Sequence, residues 1–89
     1  MDLEKIKQGI VNNVYHIPSD KKVPMHQHPN HDEIFYCIKG QGRGVLEKGE
    51  KELTVGKAFI VPAGAMHTVR SDSEIYVASF LVPVVNQGE

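Results

Sequence analysis

The chain has 89 residues, with 10 basic and 11 acidic side chains, a net charge of −1 and one cysteine, Cys37. One thiol rules out an intramolecular disulfide and the multi-thiolate zinc sites of ribbons and fingers. No run of Lys or Arg forms a stripe for phosphate, so nucleic acid is not an expected partner.

Taken in order, the chain opens with a possible helical turn over residues 2–8, with Asp2 as N-cap, Gly9 as its end, and Leu3 and Ile6 on one side. This charged start lacks the apolar core of a signal peptide. Short β-prone runs follow at 10–17, 23–28, 33–39, 42–47, 52–55, 58–61, 67–70 and 75–82, separated by Gly and Pro. That spacing predicts an all-β sandwich or barrel over residues 1–89, in one domain. Lys48-Gly49 reads as a two-residue hairpin loop, and Pro29-Asn30 and Pro62-Ala63-Gly64 as other loops. Residues 75–85, broken by Ser79 and Pro83, are too short an apolar stretch to cross a bilayer, so no membrane partner is expected. As a free edge the run 75–82 would invite pairing with another chain, so it is expected to be covered in the barrel or in a homodimer. The composition as a whole predicts a soluble cytoplasmic protein. A chain this small gains stability from a metal or a second copy.

The informative segment is Met25-His26-Gln27-His28-Pro29-Asn30-His31-Asp32-Glu33. Residues two apart on a strand share a face, which puts His26 and His28 side by side. Glu33 begins the next strand after a loop short enough to fold back on them. His67 opens a later strand, three residues after Gly64. Three imidazole nitrogens and one carboxylate oxygen suit one divalent transition metal ion: Fe, Mn, Ni, Zn, Co or Cu. An octahedral ion would keep two positions for water or substrate. His31 is more naturally a surface loop residue, although it lies near enough to reach the rim of such a site. Cys37 follows Glu33 by four residues and shares its face, as does Phe35. Phe35 is therefore expected to form an apolar wall of the pocket. Cys37 is expected either to pack as a small hydrophobe or to put its sulfur in that wall. Tyr36 falls on the opposite face. His16 reads as an ordinary strand side chain.

His26-x-His28-x4-Glu33-x6-Gly40 resembles the first motif of the cupin superfamily, and Gly56-x5-Pro62-x-Gly64-x2-His67 resembles the second. The motifs stand in the family's order with its internal spacings, and 15 residues, Gln41 to Val55, lie between them. Asp20 stands where the first motif often opens with Gly, and Ser71 where the second often ends with Asn; neither is a metal ligand. The resemblance implies a double-stranded β-helix, or jelly roll, of two antiparallel sheets with a metal near its centre, in a chain that associates as a dimer. It leaves three readings of function: a metal-dependent dioxygenase, isomerase or decarboxylase acting on a small oxygen-bearing substrate, a non-catalytic small-ligand binder, or a protein whose metal is mainly structural.

Overall fold

Asp2 begins the first element as the sequence suggests. Its carboxylate accepts from the backbone N–H groups of Glu4 and Lys5, and the helix α1 runs Leu3–Gly9. Leu3 stays exposed and α1 buries none of its residues, so the helix contributes little to the core. The computed structural model describes residues 1–85 and continues with β1 (Val11–Pro18), β2 (His31–Leu46), β3 (Gly49–Thr54), β4 (Ala58–Val61) and β5 (His67–Pro83). All strand pairs are antiparallel, in the order β1-β5-β2-β3, with β4 also on β2.

Two long strands carry the architecture. The runs expected at 33–39 and 42–47 are one strand, β2, and those at 67–70 and 75–82 are one strand, β5. Each pairs with the other along most of its length, with register shifts between Cys37 and Lys39 and between Gly40 and Gly42. These bulges divide the ladder into two halves. The first contains β1, the later part of β5, the early part of β2, and β4. The second contains β3, the later part of β2 and the early part of β5. Buried residues from both halves form one core: Ile17, Phe35, Phe59, Val61, Ile75 and Val77 from the first meet Leu53 and Val69 from the second. This is the expected all-β double-stranded β-helix.

Gly40 and Gly42 serve the bulge. Gly40 has φ +84°, and a Cβ there would lie 2.1 Å from the Glu74 carbonyl oxygen; one on Gly42 would lie 2.0 Å from that of Arg70. Only glycine allows β2 to pass β5 this closely. Two other expectations also change, and a third holds. The hairpin loop is Glu47-Lys48, because Gly49 already pairs with Leu46 as the first residue of β3. The run 23–28 is not a strand and holds only an isolated bridge from His26 to His67, since Pro24 offers no N–H to continue a ladder. The apolar run in β5 is covered by β1 on one side and β2 on the other, so it is no edge.

Candidate metal centre

Alternation along β2 sends Glu33, Phe35 and Cys37 to the core and leaves Tyr36 exposed. Glu33 is only 4% exposed, which is costly for a carboxylate unless it is paired. Its Oε1 lies 2.8 Å from His67 Nε2 and 3.2 Å from His28 Nε2, and its Oε2 accepts a hydrogen bond from the Ser79 hydroxyl. His67, fully buried at the start of β5, is joined to His26 by two backbone hydrogen bonds of 2.8 and 3.0 Å. Their rings lie with centroids 4.4 Å apart. The ring of His28 completes the group, 5.3 Å from His26 and 5.5 Å from His67. One ligand atom from each of His26, His28, Glu33 and His67 falls within 4.8 Å of all the others, so the four could hold a metal ion.

The backbone around these side chains fixes which ring nitrogen is presented. His26 Nδ1 donates to the Pro24 carbonyl at 3.0 Å, and His67 Nδ1 to that of Ala65 at 2.9 Å. Both Nε2 atoms are thereby turned inward as ligand atoms, in the manner of histidines oriented by an outer hydrogen bond. The loop Pro62-Ala63-Gly64 braces the other side: Gly64 N–H donates to the His28 carbonyl, and Ala63 N–H to the Asp32 carboxylate.

The electrostatics follow from burial and pairing. Burial pushes the Glu33 carboxyl up, but hydrogen bonds from His67 and Ser79 and the nearby charges of His28 and His67 outweigh it and hold it below its ordinary value. Burial pushes His67 down, yet the Glu33 hydrogen bond and charge, with the Ala65 carbonyl, raise it above the usual imidazole value. The two shifts describe the same ion pair.

A cavity of about 310 Å³ opens from this cluster. His26, His28 and Glu33 lie on its wall, with Phe35 among the apolar residues beside them. The His28 side chain is 32% exposed where that of His67 is completely buried, so the cluster is open on the His28 side. Phe35, its ring 5.9 Å from that of His67, lies on the cavity wall. The other two pocket candidates are placed elsewhere. Cys37 is fully buried, its Sγ directed at the carbonyls of Lys39 and Gly40, and burial pushes its thiol up. His31 opens β2 opposite Pro83 and does not line this cavity. His16 pairs with Glu74 at 2.8 Å and stacks on Tyr76.

Two residues that complete the centre had only faint signals in the sequence. Ser79 is the one hydroxyl on the inward side of the apolar run 75–82, between Val77 and Leu81. Asp32 stood beside a ligand without being one.

Among known proteins, the cupin domain family model matches residues 13–84. Quercetin 2,3-dioxygenase of Bacillus subtilis (strain 168) is 36% identical over 56 residues, covering 63% of this chain and 17% of that protein. The chain spans less than half the length of the curated relatives it matches. A cupin protein of Bacteroides fragilis superposes with TM-score 0.76 at 24% identity, covering 85% of this chain and 67% of its own. A predicted oxalate decarboxylase of Thermotoga maritima does so with TM-score 0.78 at 15% identity, covering 94% and 76%. These likenesses in structure carry the fold. The family match covers most of the chain, whose two motifs supply the four clustered side chains, and the chain belongs to the cupin family.

Proposed function

We propose that this protein is a metal-dependent enzyme for a small oxygen-bearing substrate, with His26, His28, Glu33 and His67 holding one divalent transition metal ion. The observation that carries the reading is the opening of the four-residue cluster into the cavity, on the side where His28 is exposed. A purely structural metal would be enclosed by its ligands. The donor set of three imidazoles and one carboxylate fits Fe, Mn, Co, Ni, Cu or Zn. When bound, such an ion supplies Lewis acidity toward a substrate oxygen or a place for dioxygen to react.

The chain's own residues supply position and shielding. Ser79 holds Glu33 in place, while the Pro24 and Ala65 carbonyls hold His26 and His67. Phe35, Val69 and Leu81 give the cavity apolar walls that keep water from the substrate body. Dioxygenase, isomerase and decarboxylase chemistry all agree with this arrangement, and the quercetin dioxygenase and oxalate decarboxylase likenesses support the first and last. A second reading, a non-catalytic binder of small ligands, is favoured by one feature: among the described residues Glu33 is the only carboxylate on the cavity wall, which leaves none of them free for acid–base work. Anaerobic loading with Fe, Mn or Ni, followed by oxygen-uptake and product assays against small acids and diketones, separates the two. Turnover with any of them supports the enzyme; saturable binding without product supports the binder.

The same reading includes a homodimer. The outward side of the first half-sheet is apolar where a solvated face would be polar. Val14, Ala78 and Tyr36 lie in one cross-strand row and Phe80, Ile34 and Ile60 in the next, with Val14 and Ile60 mostly exposed. A patch of this kind marks an interaction surface.

A further inference from the structure

The cavity wall carries two cations that the metal cluster does not use. Lys21 and Lys22 line it together with His26, His28 and Glu33, and neither is in an ion pair among the described residues. Glu33 is already engaged by His67, His28 and Ser79, so it leaves no negative charge for the lysines to answer. The wall also holds the apolar residues Ile17, Val23, Val69 and Leu81.

The segment bearing the lysines is fixed in place by its backbone. Ser19 N–H donates to the Ser73 carbonyl, Lys21 N–H to the Pro18 carbonyl, and the buried Thr68 hydroxyl to the Val23 carbonyl. The two stems therefore leave from anchored positions at the rim, and only their ends are free to settle on a ligand. Free, unpaired ammonium groups at a partly enclosed mouth attract an anion more strongly than the same groups on an open surface.

We propose that Lys21 and Lys22 form an anion subsite, so that the ligand of this cavity is a small carboxylate with a short apolar body and an oxygen function at its far end. The inference rests on the proposed metal site, toward which that far oxygen is directed. The cavity volume of about 310 Å³ is at the small end of the range for ligand pockets.

The test compares 3,4-dihydroxybenzoate with 3,4-dihydroxybenzamide, which share the metal-seeking hydroxyls and differ in the charge at the other end. Binding to the zinc-loaded full chain is measured by calorimetry for the wild type and for a Lys21→Gln/Lys22→Gln variant. Both lysines are exposed, so the variant keeps the fold. The acid is expected to bind wild type at least about fivefold more tightly than the amide, and the preference to shrink with added salt. In the variant the acid is expected to fall to the affinity of the amide, with the amide unchanged. Equal affinities in wild type, a preference that survives in the variant, or no binding of either compound to zinc-loaded protein would each overturn the subsite. Zinc content is measured on the same samples. If zinc does not bind, the metal reading fails, and the acid–amide comparison is repeated on the unloaded chain by amide chemical shifts. There a lysine-dependent preference upholds the subsite and its absence overturns it.

Discussion

Ser79 donates to the Glu33 carboxylate oxygen that His67 leaves free, so both oxygens of the one buried acid of the centre are held by the same strand, β5. Removing the hydroxyl leaves Oε2 buried without its partner. Ser79→Ala is expected to lower metal affinity about tenfold or more, in line with other outer-shell partners. It is also expected to cost about 1–3 kcal/mol of stability. Chelator competition and urea unfolding measure the two effects; unchanged metal affinity would assign Ser79 to packing alone.

Metal content discriminates among the ligands. Wild type purified without chelators is expected to carry about one metal per chain, and His28→Ala and His67→Ala to lose it. Because the His28 side chain is partly exposed and that of His67 fully buried, the first variant is expected to melt near the metal-free wild type and the second well below it. Elemental analysis beside thermal melts reads both.

The Glu33–His67 pair gives the metal-free protein a pH profile with two limbs. The raised folded pKa of His67 contributes stability that is fully present below its unfolded value and is lost as pH rises through the folded one. The lowered folded pKa of Glu33 contributes stability that is present above its unfolded value and is lost as pH falls through the folded one. Thermal melts in excess chelator are therefore expected to peak between the two folded pKa values. Metal binding must displace the proton on His67 Nε2, so calorimetric loading in buffers of different ionisation enthalpy is expected to show proton release. A buffer-independent heat would contradict the protonated imidazole.

Gly44 lies flat against the Phe59 ring, where an added Cβ would stand 2.4 Å from ring carbons. Gly44→Ala is expected to destabilise by about 1–3 kcal/mol through overpacking, and Phe59→Leu in the same chain to recover part of it. Chemical denaturation of the single and double variants checks the coupling.

Ile60→Glu is expected to convert the proposed dimer to a monomer while leaving metal content intact, because Ile60 points away from the core and is mostly exposed. Sedimentation at several concentrations decides it; a wild type that is monomeric throughout would remove the dimer from the reading.

The four-residue cluster was legible because it depends on local geometry. His26 and His28 are two residues apart, Glu33 follows a short loop, and His67 follows a Pro-Gly turn, and the fold brings all four together. The strand plan was legible only in part. Gly40 and Gly42 punctuate the sequence like a turn, whereas what they permit is a close backbone crossing, which depends on a partner strand 30 or so residues away. Ser79 and Asp32 escaped notice for the same reason, since a lone hydroxyl or carboxylate declares its role only once its distant neighbour is known. Phe35 could be placed by alternation alone. Cys37 shares its face, but the bulge that begins at Cys37 puts its sulfur against the Lys39 and Gly40 carbonyls.

The segment 23–28 is tied down by few bonds: the bridge from His26 to His67, the Gly64 N–H on the His28 carbonyl and the Thr68 hydroxyl on Val23. It carries two of the four metal-seeking side chains, while the other two sit on strands locked into the core. Opening this one segment would strip His26 and His28 from an ion together and leave Glu33 and His67 behind. The rate at which a bound metal would exchange is then expected to follow local opening of this six-residue stretch and not global unfolding. A metal held this way would be loaded, lost or replaced by a different ion within the lifetime of a single folded molecule.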